Sequence, residues 1–317
     1  MIKLGRKRGR VVEGARLEIV WAGDRLGGSN PLASAMLLTQ RIKKQECESR
    51  FARCESSRFR QDNRSTMEKR AKSEQEKTKK SGLRSKSQKI KAKMLKSYYG
   101  NPMRDMKLIA ITGTTGKTTV AHFVHEILRA SGEQVAVLAS DQPFKVGMLH
   151  KFLSDARKAG ANYVIVTVPA EGLRDNVFYG LPVTVAAMTN FVTASLSDMD
   201  PEEYLDNEKT LFDMKPAIVI LNHDDLNYDT FKEFKGKEKT ITYGLTSSDV
   251  KILNSKLYSK GTEATLSMNS EIMSVATFVP GETAVSYMAC AVAIAEALSI
   301  DSDKIIDGLA EYEPEAA

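Results

Sequence analysis

Residues 107–120 read Lys-Leu-Ile-Ala-Ile-Thr-Gly-Thr-Thr-Gly-Lys-Thr-Thr-Val, a strand that runs straight into a glycine-rich turn and then a helix. Leu108, Ile109, Ala110 and Ile111 form the short unbroken apolar run of a strand covered on both faces, as in a parallel sheet. Gly113 and Gly116 permit the tight turn and let successive backbone N–H groups converge on an anion. Lys117 then brings a point charge to the β- and γ-phosphates, and the Thr118 hydroxyl is placed to ligate Mg²⁺. The helix that follows is marked by Val120, Phe123, Val124, Ile127 and Leu128 on one face, with Gly132 just past its end. Its dipole adds partial positive charge where phosphates would lie. A nucleotide-binding loop is therefore predicted at Gly113, Thr114, Thr115, Gly116, Lys117, Thr118 and Thr119. Ile111 stands where the longer phosphate-loop pattern has its first glycine, while the shorter Gly-Thr-x-Gly-Lys-Thr-Thr form is complete. The competing reading is a loop that kept its shape and lost its ligand.

Working outward, the formal charge of +6 divides sharply. Residues 1–107 carry 29 Lys+Arg against 11 Asp+Glu, a net of +18, whereas residues 108–317 carry 17 against 29, a net of −12. The acidic part is long enough to bury one substantial core. No stretch approaches the roughly 20 apolar residues of a membrane span. The N-terminus has basic residues but no apolar run of the secretory kind. Three cysteines, Cys47, Cys54 and Cys290, form no spaced framework, which fits a reducing compartment and gives no zinc site. A cytoplasmic protein is expected.

Residues 1–93 are predicted to be a basic low-complexity region, and 94–317 a single phosphate-loop domain. Residues 40–93 are rich in Lys, Arg, Ser, Gln and Glu, a composition that buries too little surface to offset chain entropy, so disorder or a solvated helix is expected. Such a tail could meet nucleic acid or an anionic membrane face, but interleaved aromatics are few, and the charge run is read as solvated. The run from Arg10 to Val20, followed by Gly27-Gly28-Ser29-Asn30-Pro31, resembles conceptual translation through a transfer-RNA gene. A start further downstream is expected on that ground, at Met67, Met94, Met103 or Met106.

Beyond residue 94, apolar strands are predicted at 134–140, 163–168, 183–189 and 217–222, with helices at 147–159 and 201–214 between them. This alternation predicts an α/β fold with a doubly wound, mostly parallel sheet, its ligands at the carboxyl ends of the strands. Residues 249–279 read instead as a small antiparallel element of three strands, turning near Lys260–Gly261 and Asn269–Ser270. Helices at 283–298 and 302–311 close the chain.

From about Tyr99 to Glu313 the chain resembles the central ATP-binding domain of the Mur ligase family, in particular the tripeptide synthetases of peptidoglycan assembly. The resemblance rests on 113–119, Thr189–Asn190, Glu203–Tyr204 with Leu211–Phe212, Asn222-His223-Asp224-Asp225, Thr242-Tyr243-Gly244 and the lead-in Tyr99-Gly100-Asn101-Pro102. It implies ATP and Mg²⁺ as cofactors and transfer of the γ-phosphoryl group to a carboxylate. The acyl phosphate so formed is then attacked by an amino acid's amine. It implies a UDP-muramoyl-peptide-type substrate, an amino acid, and nucleotide-base contacts at Asn222 and Asp225, with His223 beside them.

Several residues depart from the family pattern. Thr167 stands where a Mg²⁺-binding Glu ends the third core strand, and Glu171 is the nearby acid that could reach the ion. Ala194-Ser195-Leu196-Ser197 replaces a segment with a His and two acids, and Ala284 and Tyr287 stand in for amides. Glu208 occupies the place of a lysine that is commonly carbamylated, so it presents a carboxylate directly; the alternative is an ordinary exposed helix acid beside Lys209. The family's sugar-binding and C-terminal lobes are not readable in this sequence, so a partner chain supplying the C-terminal lobe is one expectation. Two function classes stay open: a divergent ATP-dependent amide-bond ligase with Lys117 and Glu208 as catalytic groups, and a non-catalytic nucleotide-binding pseudoenzyme, regulatory subunit or gene fragment. A phosphate-loop kinase or GTPase is weaker, because 222–225 lacks the lysine of a guanine-reading motif. His122 and His125, at i,i+3, are read as helix-surface residues and not as a metal pair.

Overall fold

The computed structural model describes residues 87–139, 144–192, 200–246 and 248–313. The expectations for the basic tail up to residue 86, for Cys47 and Cys54, and for Ala194–Ser197 fall outside these residues.

A helix over residues 87–98 (α1) leads into strand β1, Lys107–Thr112. Then follow α2 (Lys117–Ala130), β2 (Val135–Leu138), α3 (Val146–Lys158), β3 (Tyr163–Thr167), α4 (Ala170–Arg174) and β4 (Val183–Met188). The chain continues through α5 (Pro201–Asp213), β5 (Ile218–Asn222), α6 (Tyr228–Phe231) and β6 (Lys239–Gly244). It ends with β7 (Val250–Tyr258), β8 (Gly261–Met268), β9 (Glu271–Thr277), α7 (Glu282–Ala297) and α8 (Ser302–Glu311).

The nine strands among the described residues form one sheet in the order β2-β3-β1-β4-β5-β6-β7-β8-β9. The pairings from β2 to β7 are parallel, and β7-β8-β9 is an antiparallel meander. The three-stranded element is therefore an extension of the main sheet, joined where Tyr243 pairs with Val250. The predicted strands and helices are present to within one or two residues at each end, and the turns fall at Ser259–Lys260, one residue ahead of the expectation, and at Asn269–Ser270. β6 and the one-turn helices α4 and α6 are additions, and α1 begins ahead of residue 94.

Alternation along β1 explains the three layers. Ile109 and Ile111 face a core shared with α2, α7 and α8; Leu108 and Ala110 face a second core shared with α1, α3, α4 and α5. α1 is held there by buried Ala92, by Lys96 Nζ donating to Gly180 O at 3.0 Å, and by Lys89 5.1 Å from the Tyr179 ring centroid. α5 starts on a capping Asp200, whose carboxylate accepts from Glu202 N, with Pro201 in the first turn. β1 lies where the connections diverge: the chain leaves it toward β2 on one side and later returns to β4 on the other. The crevice at the carboxyl ends of β1 and β4 is the topological switch point of such a sheet.

One buried residue works against this packing. His150 on α3 is fully buried and neither ring nitrogen has a hydrogen-bond partner. Burial, with Lys96 adding to it, holds its pKa below 6.5. The unfolded chain binds this proton first, so the fold loses stability as pH falls below 6.5. His150→Leu is expected to raise stability by about 1–2 kcal/mol at pH 8 and by more at pH 5. Urea midpoints at the two pH values check this; a variant less stable at both would show that the imidazole has an unrecognised favourable role.

Candidate functional site

The loop between β1 and α2 is shaped by backbone conformations only glycine adopts easily. Gly113 has φ +125° and Gly116 φ +79°. A Cβ on Gly113 would lie 2.2 Å from Thr189 Oγ1, so the loop passes flush against the segment that follows β4. Gly116 is the residue before α2, and that helix carries no acidic residue in its first turn and no side-chain cap. A helix start of this kind suits an anion. Lys117 Nζ donates to Gly113 O at 2.7 Å and Thr114 O at 3.3 Å, folding back over the loop.

Thr189 and Asn190 hold the loop from one side. Thr189 Oγ1 donates to Thr115 O at 2.7 Å, and Asn190 O accepts from Thr114 N at 2.9 Å. The Asn190 amide accepts from Thr115 N at 3.0 Å and donates to Thr115 Oγ1 at 2.8 Å. Tyr287 on α7 stands on the other side, its hydroxyl 3.3 Å from Thr115 Oγ1. Neither Asn190 nor Tyr287 was predicted to be a site residue, although both fall in stretches singled out by the family resemblance.

Beneath the loop is Glu208, one turn along α5 from Tyr204. It is fully buried, so the expectation of an exposed helix acid is overturned. Thr112 Oγ1 donates to Glu208 Oε2, while Oε1 has no partner. Burial pushes the carboxyl up to about 7, against the pull of Thr112, Tyr204 and Lys117 and with a small push from Glu171. Burial and the Glu208 charge raise the Tyr204 hydroxyl far above its usual range. Lys117, Glu171 and Glu208 thus lie in one electrostatic neighbourhood. Glu171 opens α4, half-buried, and Thr167 ends β3, fully buried. Among the described residues no group of three or more His, Cys, Asp and Glu could hold a metal. Glu171, Glu208 and the Thr118 hydroxyl are oxygen groups of the kind Mg²⁺ takes, an ion that needs few protein ligands.

The other predicted residues are tied to backbone. Asn222 Nδ2 donates to Thr189 O at 3.0 Å and its Oδ1 accepts from Asp224 N at 3.0 Å. Asp225 accepts from Phe191 N at 2.7 Å and Asn227 N at 2.8 Å. Their amide and carboxylate set the loops around the crevice. His223 is hydrogen-bonded to Thr246 Oγ1 at 2.9 Å and its ring lies 4.5 Å from that of Tyr228. His122 stacks on Tyr312 and His125 pairs with Glu126, so the two imidazoles serve separate contacts.

Comparison with known proteins identifies the family of this domain. The Mur ligase middle domain model matches residues 111–295. The "UDP-N-acetylmuramoyl-L-alanyl-D-glutamate--2,6-diaminopimelate ligase 1" of Clostridium acetobutylicum is 30% identical over 236 residues, covering 70% of this chain and 48% of that protein. A solved UDP-N-acetylmuramoyl-L-alanyl-D-glutamate--2,6-diaminopimelate ligase superposes with a TM-score of 0.66 at 20% identity, over 74% of this chain and 52% of that one. The folylpolyglutamate synthase of Mycobacterium tuberculosis, solved with ADP and AMPPCP, gives 0.58 at 15% identity, over 71% of this chain and 63% of that one. The chain spans about half the length of the curated relatives it matches. With a family model matched over more than half its residues, the chain belongs to the Mur ligase family and carries that family's middle domain.

Proposed function

We propose that this domain binds ATP with Mg²⁺ at the loop after β1, and that it serves a cytoplasmic ATP-dependent acid–amino-acid ligase of peptidoglycan precursor assembly. The observation that carries the reading is the buried Glu208 carboxylate, its Oε1 unpartnered, set beneath a glycine-shaped loop in the field of Lys117. Burying a charge-bearing group without its full set of partners is costly, and such cost is commonly retained where a ligand will use the group.

In this reading Gly113 to Thr119 cradle the phosphates, Lys117 neutralises charge on them, and Thr118, Glu171 and Glu208 hold the cation. Bound ATP would supply the phosphoryl group that activates a substrate carboxylate, of UDP-muramoyl-peptide type, for attack by an amino acid. Asn222 and Asp225 act through the loops they fix, beside the nucleotide base. Residues 94–317, with the first turns of α1, carry the nucleotide-binding part of that activity. A second reading, a nucleotide-binding protein without ligase activity, is favoured by Thr167 at the end of β3, where the family resemblance expects a carboxylate.

Calorimetry of the full-length chain with Mg²⁺–ATP tests the shared core of both readings. Lys117→Ala is expected to weaken binding by roughly 10- to 100-fold, the scale of a lost charged hydrogen bond. Equal affinity in wild type and variant, or no binding to either, would refute the nucleotide site. Turnover assays with UDP-muramoyl-dipeptide then separate ligase from pseudoenzyme.

A further inference from the structure

We propose that Tyr287 is a positioning residue for the phosphate loop: from α7 it pins Thr115 and Gly116 against Asn190, so the loop is shaped before a nucleotide arrives. This deepens the nucleotide-binding reading and rests on it for its functional meaning.

Three contacts carry the inference. First, Tyr287 fills the space a side chain at Gly116 would need. Its Cε1, Cζ and Cδ1 lie 2.2, 2.4 and 2.8 Å from where that Cβ would sit, so the ring rests directly on the loop backbone. Second, its hydroxyl reaches Thr115 Oγ1, the same atom that accepts from Asn190 Nδ2. Thr115 is gripped from α7 and from the segment after β4 at once. Third, the two grips are joined behind the loop. Tyr243 donates from its hydroxyl to Thr189 O at 2.8 Å, with Met188 O at 3.0 Å. The same hydroxyl meets Ser286 and Cys290 of α7. The path α7–Tyr243–Thr189–Asn190–Thr115–Tyr287 is a closed ring of contacts.

Its base is rigid, because Ala284, Val285 and every residue from Met288 to Ala295 are buried in the core. A polar loop anchored to such a helix gives up less freedom when a ligand arrives, and that saving appears as affinity. A tyrosine also does this in a way the amide expected at this position cannot, by combining a flat face for Gly116 with a hydroxyl at ring's length for Thr115.

The test uses the full-length chain and two measurements. Amide hydrogen exchange of the peptide covering residues 112–120, without nucleotide, reads the loop itself; calorimetry with Mg²⁺–ATP reads the consequence. Tyr287→Phe keeps the ring and removes only the hydroxyl. It is expected to speed loop exchange and weaken ATP binding by roughly 3- to 10-fold, with an unchanged melting temperature. Thr115→Val is expected to be non-additive with it, the double variant binding no worse than Thr115→Val alone. Unchanged loop exchange in Tyr287→Phe, or additive losses in the double variant, would overturn the proposal. Should wild type bind no nucleotide, the ATP reading fails by itself, and loop exchange still decides whether Tyr287 pins the loop.

Discussion

Glu208→Gln is expected to yield a protein that is more stable at pH 8 and less able to exploit Mg²⁺ in binding ATP. The two effects have one cause. The Glu208 carboxyl is raised to about 7 in the fold from an ordinary 4.5, so between these values the native state holds a proton the unfolded chain has released. Stability therefore falls as pH rises through this window and is lowest above pH 7. A displacement of that size corresponds to roughly 3 kcal/mol at most, and glutamine removes it while keeping a hydrogen-bonding partner for Thr112. Denaturant unfolding at pH 5 and pH 8 should show the gain of Glu208→Gln concentrated at pH 8, opposite in trend to His150→Leu. In calorimetry, the ratio of ATP affinities with and without Mg²⁺ should fall about tenfold or more, because one carboxylate oxygen is lost from a low-dielectric site. A variant that is stabilised but keeps its Mg²⁺ dependence would mean that Glu208 is a structural acid only.

The residues that make this site were unequally legible in the sequence. β1, its loop and α2 could be read because each step has a local cause: an apolar run, glycines at the turn, a 3.6-residue stripe. β2, β3, β4 and β5 were legible for the same reason, as short apolar runs covered on both faces. β6 was not, since in Lys239–Gly244 the only large apolar residues are Ile241 and Tyr243, and α4 and α6 are too short to show a period. The burial of Glu208 had only a weak local signal, its i,i+4 spacing to Tyr204 and Phe212 on the stripe that α5 turns inward. It lies between Asn207 and Lys209 on a polar helix, where a charged side chain is ordinarily exposed. Only the fold brings it to Thr112, 96 residues earlier. Asn190 and Tyr287 show the same limit, reaching Thr115 across 75 and 172 residues. Chemistry carried by a contiguous motif is readable from the chain; the shell that positions it is assembled by topology.

Gly113→Ala should be the most damaging single methyl in the site, and Gly308→Ala gives the contrast that shows why. At Gly113 the added Cβ would lie 2.2 Å from Thr189 Oγ1, 2.8 Å from Asn190 O and 3.0 Å from Asn190 N, at a φ of +125° that disfavours any side chain. Two of those atoms are backbone, so relief requires the loop and the Thr189–Asn190 segment to separate. That breaks the donation of Thr189 to Thr115 O and the pairing of Thr114 N with Asn190 O, and with them the loop shape on which the proposed phosphate site depends. At Gly308 the added Cβ would meet Ile127 Cα at 2.4 Å and Ile127 N at 2.5 Å, prying α8 from α2. Each substitution should cost about 1–3 kcal/mol in denaturant unfolding, the range for backbone strain or overpacking. Their effects on ATP should diverge. Ile127 lies three turns along α2 from Lys117, so folded Gly308→Ala should bind ATP as wild type does, whereas Gly113→Ala should lose binding beyond about 100-fold, having lost several anion contacts at once. Equal affinity in the two variants would place the nucleotide somewhere other than this loop, whatever their stabilities.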